Sequence, residues 1–225
     1  MMDKNKPTIW FFGDSYTRGI SQSKVYDLVK SKNKRYRPWP DILSEQHKFN
    51  KINLAMGGNS NDGIINSILE NLNEMKHGDV VIVSDTSPLR ILGINPNKND
   101  ELKYITLNNY IQDGKVFTDS GLDSTQSKYL TNYIYDFYYK YEDVWSRAFY
   151  ERIVHLRRYL EQEGVQVFFW SYKLWNDESN KVRFSRIVDE SDGTILDSHW
   201  GIEGNIQFCQ FMSKNLENKI YDIFY

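Results

Sequence analysis

Four short apolar-rich runs punctuate the chain, separated by stretches in which apolar residues recur at every third or fourth position. Thr8 to Phe12 (TIWFF) follows Pro7 and stops at Gly13-Asp14, the punctuation of a strand. Lys51 to Ala55 (KINLA) is a second short strand, stopped by Gly57-Gly58. Val80 to Val83 (VVIV) follows Gly78-Asp79, and its unbroken apolar character is that of a strand buried on both faces. Val165 to Trp170 (VQVFFW) is the fourth, entered from Gly164, a residue suited to the end of a helix.

Between the strands the period changes. Asn61 to Met75 carries Ile64, Ile65, Ile68, Leu69 and Leu72 on one helical face. Leu130 to Leu160 has apolar residues at 130, 134, 137, 141, 145, 149, 153, 156 and 160, a long amphipathic helix with one interruption near Glu142-Asp143. Ile202 to Phe224 reads as a final helix. Strands alternating with helices predict an α/β fold, a parallel sheet covered by helices on both faces. Pro88 to about Gln126 breaks the rhythm. It is polar, with Asn95, Pro96, Asn97, Asn99 and Asp100, and reads as a long insertion over one edge, of the kind used for lids and binding loops. With no internal repeat and no linker, residues 1–225 read as one domain with a polar insertion around 88–126.

Composition narrows the function classes. Lys and Arg number 28 against 30 Asp and Glu, a net charge of −2, so there is no basic footprint for nucleic acid. The single cysteine, Cys209, excludes an internal disulfide and any cysteine-built zinc cluster. No apolar run approaches the roughly 18 residues of a membrane span. The amino end lacks the apolar core of a signal peptide, so a cytoplasmic location is expected, with virion association left open. His47, His77 and His155 have no metal-ligand spacing, and no Gly-rich phosphate loop follows a strand, so neither a metal nor another cofactor is expected. The chain is rich in aromatics, with 16 Tyr, 12 Phe and 6 Trp, many of them between Tyr129 and Tyr150. They occupy more than one helical face, so beyond the core some must meet solvent, an oligomer partner or a ligand such as a sugar.

Ligands of parallel α/β sheets bind beyond the carboxyl ends of the strands. Four segments fall there: Phe12 to Tyr16 (FGDSY), Asn53 to Asn59 (NLAMGGN), Ser84 to Pro88 (SDTSP), and Asp197 to Trp200 (DSHW), just before the final helix. A serine, hydroxyl- and glycine-rich turns and an Asp-x-His pair on one rim are the parts of a serine hydrolase. The serine would be the nucleophile, the histidine its base and the aspartate the orienter.

IWFFGDSYTRG (Ile9 to Gly19) resembles the first block of the SGNH, or GDSL-type, hydrolases, a hydrophobic strand followed by Gly-Asp-Ser. Asn53 to Gly58 is similar to their second block, which contributes a glycine N–H. DSHWGIEGN (Asp197 to Asn205) is similar to their last, which carries Asp and His. The resemblance spans nearly the whole chain. It implies a flavodoxin-like three-layer α/β/α sandwich, catalytic Ser15, His199 and Asp197, and an oxyanion hole made by Ser15, Gly58 and Thr86. Two blocks depart from the family pattern. Ser84-Asp85-Thr86-Ser87 stands where the family usually has Gly-x-Asn-Asp, so Thr86 would substitute for the asparagine. Asp197 lies two residues before His199 rather than three, which leaves Asp192 or a backbone carbonyl as alternative orienters. The expected reaction is cofactor-free hydrolysis of a carboxylic ester, of a small acyl or O-acetyl group, on a small molecule or a carbohydrate. A non-catalytic binding module on the same fold and an acyltransferase are the alternatives. The Asn-, Lys- and Tyr-rich composition and Thr86 to Arg90 (TSPLR) are similar to phage-encoded members of that family.

Overall fold

The computed structural model describes residues 3, 6–19, 37–87, 90–94, 104–112, 115–119, 136, 139–171, 186–188 and 195–223, with only the backbone described for 91–94, 104–112, 115–119, 139, 142, 186–188 and 195–199. In chain order the first elements are β1 (Thr8–Phe12), α1 (Ser15–Arg18), α2 (Trp39–Gln46), β2 (Asn50–Asn53), α3 (Asn61–Asn71) and β3 (Val80–Ser84). Then come β4 (Ile91–Ile94), β5 (Tyr104–Gln112), β6 (Lys115–Asp119), α4 (Glu142–Gln162) and β7 (Gln166–Trp170). The chain ends with β8 (Arg186–Val188), β9 (Ile195–Trp200), α5 (Ile202–Glu217) and β10 (Asp222–Ile223).

Five strands form one parallel sheet in the order β2-β1-β3-β7-β10. Counted along the sheet's own strands this is 2-1-3-4-5, the flavodoxin-like order expected above. Alternate side chains of each strand point to opposite faces, and two apolar layers result. Ile9, Phe11, Ile82, Phe168 and Trp170 pack with Trp39 and Leu43 of α2 and Phe208 and Met212 of α5. Trp10, Phe12, Val81, Val83 and Phe169 pack with Ile64 and Ile68 of α3 and Phe149 and Ile153 of α4. The sheet is therefore the middle layer of an α/β/α sandwich.

At the amino ends of β1 and β3, buried Asp79 holds the start of the sheet, accepting from Thr8 N at 2.8 Å, Trp10 Nε1 at 2.9 Å and Lys76 N at 3.0 Å. The two-residue strand β10 is held from outside its ladder. Arg157 of α4 makes two parallel bonds to the Asp222 carboxylate, at 2.9 and 2.5 Å. Burial works against the charge on Arg157, but the hydrogen bonds and charge of Asp222 outweigh it and raise its pKa.

The structure departs from the sequence reading in four places. The polar stretch after β3 is not a structureless insertion: β4, β5 and β6 form an antiparallel three-stranded sheet. Its strands ILGI, YITLNNYIQ and KVFTD do carry apolar residues, but the polar, Asn-rich segment between β4 and β5 and the mixed pattern of β5 masked them in the sequence. The helix expected over Asn61 to Met75 ends at Asn71 and tightens into a 3₁₀ turn, Leu72–Glu74. The long helix begins at Glu142 after a 3₁₀ turn at Tyr139–Tyr141, and most of 130–138 lies outside the described residues. Finally, the last helix stops at Glu217, because Lys219 takes a positive φ of 53° and the chain turns into β10.

Candidate active site

In the observed strand order the chain leaves β1 toward one edge of the sheet and returns to β3 on the other side of β1. That makes the carboxyl ends of these two strands the topological switch point, where ligand crevices of such sheets open. Ser15 stands there. It is the first residue of α1 and is 7% exposed. The preceding turn is built by close approach: a Cβ on Gly13 would lie 2.2 Å from Thr17 Oγ1 and 2.3 Å from Ser84 Oγ. Those two hydroxyls are themselves 2.5 Å apart, joining α1 to the end of β3. Asp14 caps α1 through Oδ1, which accepts from Tyr16 N at 2.9 Å. Gly19, at a φ of 73°, closes the helix by donating to Ser15 O and Tyr16 O. Ser15 is thus held from both ends of a single helical turn.

The other oxygen of Asp14 reaches across to the β3 exit. Asp14 Oδ2 accepts from Arg90 Nη1 at 2.8 Å and from Thr86 Oγ1 at 3.3 Å, and Arg90 Nη1 also donates to Thr86 Oγ1 at 2.6 Å. Asp14 is buried, so its charge requires this partner. Asn61, the first residue of α3, clasps the Thr86 backbone. Its Oδ1 accepts from Thr86 N at 2.8 Å and its Nδ2 donates to Thr86 O at 3.2 Å. Thr86, expected as an oxyanion donor, therefore has its hydroxyl bonded to Asp14 and its N–H to Asn61. Beside it, buried Asp85 accepts from Ser171 Oγ at 3.3 Å, which ties the ends of β3 and β7 together.

The loop after β2 runs alongside the serine turn, with Leu54 N donating to Phe11 O at 2.9 Å and Met56 N to Gly13 O at 3.1 Å. Gly58 follows with a φ of 74°, a conformation that glycine adopts without penalty. The fold leaves the N–H of Gly58, one of the expected donors, free of hydrogen bonds to the described residues.

Asp197 and His199 lie on β9, which pairs with β8 in an irregular antiparallel ladder (Ile187↔Asp197, Arg186↔Trp200). Their side chains, and Asp192, lie outside the described residues. Trp200, the neighbour of His199, is described in full. Its ring meets that of Tyr16, the neighbour of Ser15, edge to face at 5.4 Å between centroids. The Ser15 turn and the end of β9 are thereby brought together, though they come from opposite ends of the chain.

Two residues of this arrangement were missed in the sequence. Arg90 belongs to TSPLR, which signals no role for it, and Asn61 follows the helix cap Ser60, whose Oγ accepts from Gly63 N at 3.1 Å. Among the described residues, no group of three or more His, Cys, Asp or Glu side chains is placed to hold a metal ion. No described helix is long and apolar enough to cross a membrane. No known family model matches the chain, and comparison with curated proteins finds no match either.

Proposed function

We propose that this chain is a serine esterase of the SGNH type, hydrolysing a small acyl or O-acetyl ester through an acyl-serine intermediate. The observation that carries the reading is the Tyr16–Trp200 contact, because it seats the chain neighbours of Ser15 and His199 against each other at the switch point of the sheet. In this mechanism Ser15 Oγ attacks the ester carbonyl while His199 takes its proton. The oxyanion of the tetrahedral intermediate accepts from the backbone N–H groups of Ser15 and Gly58. His199 then returns the proton to the departing alcohol, and water repeats the sequence on the acyl-serine. Asp197, Asp192 or a backbone carbonyl orients the imidazole. Thr86 joins the hole only by exchanging its bond to Asp14 for one to the substrate. The substrate class, a small-molecule or carbohydrate ester, rests on the resemblance and on the polar character of residues 88–126.

A second reading, a binding module that kept the fold without the chemistry, draws on that engagement of Thr86. A fluorophosphonate probe with a panel of p-nitrophenyl esters and acetylated sugars separates the two. The esterase is labelled at Ser15 and turns over at least one ester, and Ser15→Ala abolishes both. A wild-type chain that neither labels nor turns over any of them overturns the esterase reading. Acyl transfer is distinguished by product, since an added alcohol acceptor would be acylated in place of water.

A further inference from the structure

We propose that Asn205 is a positioning residue, the tie that holds the strand end bearing His199 at working distance from the Ser15 turn. The inference rests on the esterase reading above. Proton transfer between a serine and its base needs heavy atoms within about 2.6–3.2 Å, and a misplacement of about 1 Å can lower the rate about 100-fold. The two groups sit on separate elements, so some fixed connection has to set their spacing. Asn205, 1% exposed in the first turns of α5, uses both ends of its amide for this. Its Nδ2 donates to Trp200 O at 3.0 Å and Gly201 O at 2.9 Å, gripping the chain where β9 ends. Its Oδ1 accepts from Trp39 N at 2.9 Å, at the start of α2. Trp39 then donates from Nε1 to Tyr16 O at 2.8 Å, inside the helical turn that begins with Ser15.

A continuous chain of hydrogen bonds thus runs from Tyr16 through Trp39 and Asn205 to Trp200. It runs in parallel with the direct Tyr16–Trp200 ring contact. Asparagine is the residue this junction requires. A carboxylate would turn an oxygen toward two carbonyls, and an apolar side chain would take the acceptor from the buried Trp39 N–H and remove one bond each from Trp200 O and Gly201 O. Asn205 touches no reacting atom in this scheme; it acts through Trp200 and Tyr16.

The test measures the rate at which a fluorophosphonate labels Ser15 in the full chain, with the inactivation step resolved from probe binding, beside thermal melts. Asn205→Ala should slow the inactivation step by about 10- to 100-fold while leaving the probe's binding constant within about twofold. Trp39→Phe, which keeps a ring in the core but removes the indole donor, should show the same signature more weakly and serves if Asn205→Ala does not fold. Ser213→Ala is the control. Ser213 lies on the same α2–α5 interface, bonded to Gln46 at 3.1 Å and Glu217 at 3.2 Å and 2.8 Å from His47 Nε2, but outside this chain of bonds. It should lower the melting temperature without slowing labelling. Labelling that is unchanged in Asn205→Ala, or that falls equally in Ser213→Ala at equal loss of melting temperature, overturns the positioning role alone. A wild-type chain that is not labelled overturns the esterase reading and this inference with it.

Discussion

Arg90 Nη1 lies 2.8 Å from Oδ2 of Asp14, an ion pair that links a carboxylate buried beneath the Ser15 turn to a residue 76 positions further along the chain. Asp14 is 2% exposed in its side chain and Arg90 22%, so the carboxylate depends on the guanidinium far more than the reverse. Arg90→Met should therefore destabilise by about 3 kcal/mol, the lower end for breaking a buried pair, because an uncompensated charge stays behind. For a chain of this size that lowers the melting temperature by roughly 6–12 °C. Adding Asp14→Asn to Arg90→Met should recover part of the loss. Additive losses in the double-mutant cycle would show that the pair is not coupled.

The hydroxyl of Thr86 donates to Asp14 and accepts from Arg90, which makes it part of the anchor under the Ser15 turn. Thr86→Val should accordingly cost about 1.5–3 kcal/mol, the range for a hydrogen bond to a charged group. Turnover in that variant should fall by less than tenfold at temperatures where it is folded. A loss of about 100- to 1000-fold in kcat at unchanged KM would instead mark an oxyanion donor. Steady-state kinetics beside melts decide between the two roles.

Cys209 packs between α2 and α5, and burial, opposed by the charge of Arg37, pushes its thiol up to about 11. The native protein therefore holds the thiol proton more tightly than the unfolded chain, where a cysteine titrates near about 8.5. This contribution to stability is fully present below about pH 8.5 and is lost as pH rises toward 11, at up to about 1.4 kcal/mol per pH unit. Tyr150, whose pKa is raised by burial and by Asp222, acts in the same direction at high pH. Melting temperature should fall between pH 9 and 11 more steeply in the wild type than in Cys209→Ala. The native thiol should also resist a thiol reagent at pH 8 and react on denaturation.

The esterase reading makes a pH prediction of its own. His199 must be neutral to accept the serine proton, so kcat/KM should rise as pH climbs through the imidazole pKa, about 6.5 when unperturbed. A carboxylate beside the ring favours the imidazolium and moves the limb upward, so Asp197→Asn should shift it down if Asp197 is the orienter. A profile flat from about pH 5 to 9 excludes His199 as the base.

Of the four strands legible in the sequence, β2 lies at the sheet edge and was marked by the Gly57-Gly58 that follows it, whereas β1, β3 and β7 are interior, and a strand covered on both faces needs no polar alternation. Runs such as VVIV and VQVFFW have few other uses in a polar chain. The α/β order followed from these strands and the helical spacing between them, and the Gly-Asp-Ser turn was visible because it directly follows one of them. What the sequence by itself did not reveal rests on contacts between distant residues. The two residues of β10 are too few to carry a pattern and become a strand by pairing with β7, with Arg157 gripping Asp222 from outside the ladder. The short apolar runs of β4 to β6 are scattered among polar residues, and the antiparallel pairing is what defines them as one sheet. Thr86 looked available as a donor until the fold brought Asp14, Asn61 and Arg90 around it. Asn205 sits 166 residues from Trp39, and nothing local distinguishes it from any other asparagine in a helix. Periodicity records which face of an element is buried. Which buried polar group meets which is decided only when the layers close, because each such bond must be satisfied by whatever the opposing layer presents.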